Sequence, residues 1–298
     1  MISFIIQGLF TSDTPKLVRS LKSLNFDSEI IYSYNCDLNL IQQNNLLSMK
    51  VKLCKYKYQE PLIRKFNDNK SGEHINNVLN GFYYGLKKVH KNSNVIIKLR
   101  SDLVFTNKKS FKKKLDLFLK SGEKFFAVDI TSRDPNPYPI YHLCDWIVGE
   151  KIGKICRLKF IRSVDEYKLG NYWKLKGNLI TNPDLRMQFA VEQIIWMTLL
   201  NPRYPPTDIM NFSKKSYDEF IYKLKDIFLV NLSTLGIKSI KYPNANLPQF
   251  GRLRSAKFNY LRNKSFNSLI LMILDFFNIL FFEILRLIKN LFIYLKFL

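Results

Sequence analysis

Histidine, cysteine and acidic side chains are all scarce in this chain of 298 residues. The three histidines, His74, His90 and His142, are isolated, with no His-x-x-x-His spacing among them. That excludes the usual helix-borne zinc sites. His90 reads as a positive charge at a helix end, and His142 stands near enough to Asp145 in sequence to border a site there. The four cysteines, Cys36, Cys54, Cys144 and Cys156, include no Cys-x-x-Cys pair. No zinc framework is visible, and a chain of this size has no need of disulfides. There is no internal repeat and no Gly/Ser- or Pro-rich linker. The expected organisation is a catalytic-size domain over residues 1–250 and a tail over 251–298. The opening MISFIIQGLF lacks a positively charged n-region and a cleavage site, so it does not read as a signal peptide. Reduced thiols and a cytoplasmic location are the expectation.

Acids number 24 against 47 Lys and Arg, a net charge of +23. An excess of this size suits polyanions: nucleic acid, anionic lipid headgroups or nucleotide-linked substrates. Part of it follows from a composition rich in Lys, Asn, Ile and Phe together. No helix-turn-helix, zinc or RNP-type pattern appears. Nucleic acid is therefore not the expected partner. A basic nucleic-acid-binding protein and a non-catalytic peripheral membrane scaffold are kept as the alternatives to an enzyme.

The hydrophobic pattern alternates between strand and helix. ISFIIQGLF is a buried strand followed by a turn at Gln7-Gly8. TPKLVRSLKSL follows, with Pro15 suited to a first helical turn and Leu17, Val18, Leu21 and Leu24 at helical spacing. SEIIYSYN is the next strand. This β-α-β opening implies a parallel sheet with a right-handed crossover. Residues 37–72 are polar and Lys-rich and read as irregular. GEHINNVLNGFYYGLKKVHK is a helix, NVIIKLRSD a strand, SFKKKLDLFLKSG an amphipathic helix stopped by Gly122, and KFFAVDI a strand. TSRDPNPYP is a loop, and DLRMQFAVEQIIWMTLL is helical. The fold class is α/β, Rossmann-type, with a mainly parallel sheet flanked by helices.

NVIIKLRSDLVF poses the sharpest question. A strand that begins apolar ends in Lys98, Arg100 and Asp102. Alternation puts all three on one side while the chain stays extended. In open α/β sheets ligands sit beyond the carboxyl ends of the strands, so two cations and a carboxylate there suit a diphosphate with a divalent metal. A solvated strand end with a local Arg–Asp ion pair fits the same residues. Two further carboxylates stand out. Asp145 lies in CDWIVGE, and Glu192 is the one acid in the apolar FAVEQIIW. A carboxyl group in apolar surroundings tends to hold its proton to higher pH, which suits proton transfer. A first-turn Glu on an exposed helix face, favoured by the helix dipole, is the other reading.

FIIQG, NNVLNGFYYGL, VIIKLRSDLVF, CDWIVGE and AVEQIIW occur in the order and at about the intervals of the WavE lipopolysaccharide synthesis family, and residues 2–245 resemble it. That family is similar to bacterial GT-A glycosyltransferases. The resemblance implies a GT-A-like fold and an inverting, nucleotide-sugar-dependent transferase of lipopolysaccharide, lipooligosaccharide or capsule assembly. It sets Asp102 at the last Asp of the Asp-x-Asp signature, binding metal (Mn or Mg) and the sugar diphosphate. Arg100 stands where the signature has its first Asp, so Lys98 and Arg100 would replace part of the metal's charge. Gln7, Gly8, Ser33 and Asn35 would line the nucleotide pocket. Glu192 would be the catalytic base and Asp145 a contact to acceptor or donor sugar. Lys241 lies within reach of phosphate on this reading, or is a surface lysine.

The C-terminal NSLILMILDFFNILFFEILRLIKNLFIYLKFL has a different character. At 3.6 residues per turn its polar residues, Asp275, Asn278, Glu283, Arg286, Lys289, Asn290 and Lys296, fall within an arc of about 140°. A transmembrane span would place these charges in hydrocarbon at about 2.5–3.5 kcal/mol each near the centre. An amphipathic helix in the membrane plane keeps them in water. Arg252, Arg254, Lys257, Arg262 and Lys264, with no acid between them, add attraction to an anionic leaflet. The expected setting is the cytoplasmic face of the inner membrane, peripherally bound, with a lipid-linked saccharide as acceptor. A helix packed on the domain or on a partner is the other reading of this segment.

Overall fold

Six fully buried residues, Ile2–Gln7, form β1 at the heart of the molecule. Only a strand covered on both faces can be apolar throughout. The structure, a computed structural model, describes residues 1–57, 69–128, 143–163, 191–201, 214–230 and 232–241. The loop 131–139, His142, residues 184–190 and the tail 251–298 lie outside them. No helix among the described residues is long and apolar enough to cross a membrane.

Along the chain come α1 (Thr14–Lys22), β2 (Ser28–Tyr34), α2 (Leu40–Ser48), β3 (Val51–Lys55), α3 (Asn69–Leu86), β4 (Val95–Arg100), β5 (Leu103–Phe105), α4 (Lys108–Lys120) and β6 (Phe125–Val128). They are followed by β7 (Ile147–Lys151), α5 (Val191–Leu200), α6 (Lys214–Lys223), β8 (Ile227–Val230), α7 (Leu232–Leu235) and β9 (Ile237–Ser239). Seven strands make one sheet in the order β3-β2-β1-β4-β7-β6-β8, and β5 pairs with β9 in a small second sheet. Strands β1 to β4 run parallel, β7 runs antiparallel to both its neighbours, and β6 pairs parallel with β8. The expected α/β class with a mainly parallel sheet is what forms.

Two apolar layers cover the sheet. On one face Phe4, Ile6, Ile97 and Leu99 meet Leu17 and Val18 of α1 and Phe111, Leu115 and Phe118 of α4. On the other, Ile5, Ile31, Ile96 and Val148 meet Val78, Leu79 and Phe82 of α3 and Ile194, Ile195 and Trp196 of α5. Helix α3 comes close because Gly81 and Gly85, one turn apart, face the strands. A Cβ at Gly81 would lie 2.6 Å from Gln7 Cγ, and one at Gly85 2.6 Å from Ile5 Cγ2.

The region 37–72, read as irregular, holds α2 and β3. Asn39 caps α2 by accepting from the Gln42 backbone N–H at 2.9 Å, while Gln42 Oε1 accepts from the Asn39 N–H. The apolar pattern gave no sign of this helix because Leu40, Ile41 and Leu47 are exposed and only Leu46 is buried. β3 is an edge strand, so Lys52 and Lys55 sit outward and break up its apolar run.

Candidate functional site

Strand register builds the site. Gln7 of β1 lies between Ser33 of β2 and Arg100 of β4 at the carboxyl ends of three parallel strands. Just past β1, Gly8 has φ +136°, and a side chain there would overlap Ser101 Oγ. Glycine is required because the backbone turns through a region other residues rarely adopt. Ser101 holds the crossing: its N–H donates to the Gln7 carbonyl at 2.9 Å and its hydroxyl to the Leu9 carbonyl at 2.7 Å.

The expected nucleotide-side residues come together. Gln7 Nε2 donates to the Asn77 carbonyl of α3 at 3.1 Å, and Tyr56 OH donates to the same oxygen at 3.1 Å. Asn35 Nδ2 donates to Asn77 Oδ1 at 2.6 Å. Gln7 Oε1 is buried with no hydrogen-bond partner among the described residues, an acceptor that a bound donor group would satisfy. Tyr56 stacks on Tyr84, ring centroids 5.8 Å apart.

The charged residues form a second group beside the first. Lys98 faces α3 and α5 from the middle of β4, and its side chain is fully buried. A buried ammonium needs a partner. Asp145, just before β7, supplies one: Lys98 Nζ donates to Asp145 Oδ2 at 3.2 Å and also to the Asp145 backbone carbonyl. Because β7 is antiparallel to β4, its start lies at the carboxyl end of β4, where Leu99 pairs with Ile147. Two residues beyond Lys98, Arg100 grips Asp102 with a fork: Nε to Oδ1 at 2.9 Å and Nη2 to Oδ2 at 3.1 Å. The guanidinium lies over the Trp146 ring, 5.0 Å from its centroid. Ser239 of β9 donates to Asp102 Oδ2 at 2.7 Å, and the Ile240 N–H donates to the Asp102 carbonyl at 3.0 Å.

Glu192 reaches this group from α5. Trp196, one helical turn on and on the same side, donates its indole N–H to the Cys144 carbonyl at 3.3 Å. That bond draws the first turn of α5 toward Asp145. Glu192 is only partly exposed, in the first turn of the described helix. Burial pushes its carboxyl up to about 7, the nearby Asp145 charge adds to the rise, and its own backbone N–H, Lys98 and Arg100 oppose it. The exposed-face reading of Glu192 does not hold.

The sequence treats Lys98, Arg100 and Asp102 as one set at a strand end, and the structure divides them. Lys98 is inside the sheet and committed to Asp145. Arg100 and Asp102 form the local ion pair that was the second reading of this stretch, but only 11% and 15% exposed rather than solvated. Lys241 is exposed. Ser239, Ser101, Asn77 and Tyr56 join the site without any mark in the sequence that selects them.

The divalent ion implied at Asp102 does not fit this donor set. Both carboxylate oxygens are already held by Arg100 and Ser239, and a guanidinium stands where a second carboxylate would be. Among the described residues no group of three or more His, Cys, Asp or Glu is placed to hold a metal.

Fold and side chains together define an α/β protein with a carboxylate-bearing, positively balanced pocket at the carboxyl edge of a mainly parallel sheet. No family model matches the chain, and no curated protein matches it. The WavE resemblance therefore stands on its motifs alone. Several solved structures resemble the chain distantly. A structure of the galactosyltransferase LgtC with donor and acceptor sugar analogues covers 89% of this chain and 96% of its own, at 12% identity and a TM-score of 0.40. The 4-diphosphocytidyl-2C-methyl-D-erythritol synthase of Anaerococcus prevotii covers 83% and 94%, at 12% and 0.38. Mouse xyloside xylosyltransferase 1 covers 74% and 92%, at 9% and 0.34. Likenesses at this level do not assign an activity.

Proposed function

We propose that this chain is an inverting glycosyltransferase of the GT-A kind. On this reading it moves a sugar from a nucleotide-sugar donor to a lipid-linked saccharide, at the cytoplasmic face of the inner membrane, in assembly of lipopolysaccharide, lipooligosaccharide or capsule. The observation that carries this reading is Glu192. A carboxyl group held near neutrality, beside a guanidinium and within a row of strand ends, pairs a proton acceptor with a seat for phosphate. The donor nucleotide lies along Gly8, Gln7, Ser33 and Asn35. Its diphosphate meets Arg100 and its sugar reaches Asp145. The acceptor oxygen attacks C1 from the side opposite the diphosphate. The new C–O bond forms as the bond from C1 to the phosphate oxygen breaks, Glu192 takes the acceptor proton, and the nucleoside diphosphate leaves with the bonding pair. Arg100 offsets the charge that develops on it.

The test is donor hydrolysis across UDP-, GDP-, CMP- and ADP-linked sugars, reading nucleotide release. One nucleotide class is expected to be cleaved, and Asp102→Asn is expected to slow it at least about tenfold. Undiminished hydrolysis in that variant rejects the site.

The membrane surface has support beyond the tail. Lys109, Lys112, Lys113 and Lys120 of α4 line a recess of about 350 Å³ with Asp116 and the 44%-exposed Leu117. An apolar residue among lysines suits an anionic bilayer. Reversing Lys109, Lys113 and Lys120 to Glu in the full chain is expected to weaken binding to phosphatidylcholine vesicles containing phosphatidylglycerol by about a hundredfold or more, from ~1 kcal/mol per cation. Hydrolysis in solution stays unchanged. Equal sedimentation of variant and parent with these vesicles would remove α4 from the membrane contact.

A further inference from the structure

The mismatch between Asp102 and a metal ion says more about the donor seat. Both oxygens of this carboxylate are spent on positioning. Arg100 takes them with two parallel N–H bonds, and Ser239 adds a third bond to Oδ2. The pairing of β5 with β9 sets Ser239 opposite Leu103, the residue after Asp102. The Ile240 N–H on the Asp102 carbonyl clamps the backbone as well. Trp146 supports the flat face of the guanidinium. A side chain held on one edge by a carboxylate and on its face by an indole keeps a fixed plane, with its remaining N–H groups free to meet a ligand edge-on. That is the geometry in which guanidinium binds phosphate by paired hydrogen bonds. For a divalent ion to take Asp102, the fork would have to open and two positive groups would crowd one carboxylate. No second carboxylate is at hand to offset this, since Asp145 is committed to Lys98.

We propose that the donor's diphosphate is received by Arg100 without a divalent metal, and that Asp102 and Ser239 are positioning residues for the guanidinium. This rests on the glycosyltransferase reading and specifies its donor seat. It also makes Ser239, from the far end of the described chain, part of the donor site.

Thermal melts and calorimetric titrations of the full chain with UDP, GDP, CDP and ADP, each in EDTA, in Mg²⁺ and in Mn²⁺, test it. The diphosphate that binds is expected to do so with the same affinity, within about twofold, in all three conditions. Arg100→Lys keeps the charge but loses the paired geometry, and is expected to weaken it about tenfold. Ser239→Ala is expected to raise the donor KM several-fold while kcat falls less, with Ser239→Thr restoring the parent value. Arg100→Asp, which installs the missing carboxylate, is expected to bind only with Mn²⁺. Parent binding that appears only with metal overturns the inference and leaves the glycosyltransferase reading standing. Binding of no nucleotide in any condition overturns that reading and the inference with it. If Ser239→Ala changes the melting temperature but neither KM nor affinity, its role is structural and the proposed seat is wrong.

Discussion

Glu192→Gln is expected to lower sugar transfer about a thousandfold at pH 8 while raising the melting temperature. The activity loss follows from removing the one group placed to accept the acceptor proton, a contribution on the order of 10²–10⁴. The stability gain follows from the same environment. Burial and the Asp145 charge raise the Glu192 carboxyl from its ordinary 4.5 to about 7. A carboxyl raised in the fold binds its proton more tightly folded than unfolded. It therefore costs no stability at low pH, and the cost accumulates between about 4.5 and 7 and is complete above that. At about 1.4 kcal/mol per unit, the cost at pH 8 is on the order of 3 kcal/mol, which glutamine does not bear. The melting-temperature gap between variant and parent should thus widen from pH 5 to pH 8. For the parent, kcat/KM should climb with pH through about 7 as the base loses its proton. A variant that keeps this ascending limb, or an activity unaffected by the substitution, assigns the base elsewhere.

A group that is costly to ionise in the fold and needed ionised for the reaction marks a site rather than a core position. Parts of this were legible in the residues. Ile2–Gln7 and Val95–Arg100 read as buried strands because central parallel strands are apolar on both faces. Glu192 stood out because every neighbour is apolar. Arg100 and Asp102, two apart, were within reach of each other on any extended backbone. What did not show was depth. Alternation puts Lys98 and Arg100 on one face of β4, but it does not say that one is fully buried and the other reaches the rim. That is decided by Asp145, 47 residues away, and by where β7 begins. Ser239 lies 137 residues from the carboxylate it holds, and nothing local distinguishes it from any other serine. Helix α2 was hidden for the opposite reason: its apolar side chains are mostly exposed, so the usual link between periodicity and burial does not apply.

Lys98→Met is expected to destabilise the chain by about 3–5 kcal/mol, the range found when one partner of a buried ion pair is removed. The Lys98 and Asp145 side chains are 0% and 1% exposed, so water cannot replace either charge. Methionine fills a similar volume, and the loss would come from the carboxylate left behind. Pairing Lys98→Met with Asp145→Leu removes both charges and should recover most of the loss in urea denaturation, whatever it does to activity. The single variant also reports on the reaction. Lys98 favours the ionised form of Glu192 and Asp145 opposes it. With the ammonium gone, two carboxyl groups face each other with only Arg100 near, and the Glu192 proton is held more tightly. The ascending limb of kcat/KM should therefore move to higher pH in Lys98→Met, measured at a temperature where the variant stays folded. A limb that stays in place would show that the Lys98–Asp145 pair holds β4 to β7 without tuning the base. The buried lysine would then belong to the fold, not to the chemistry.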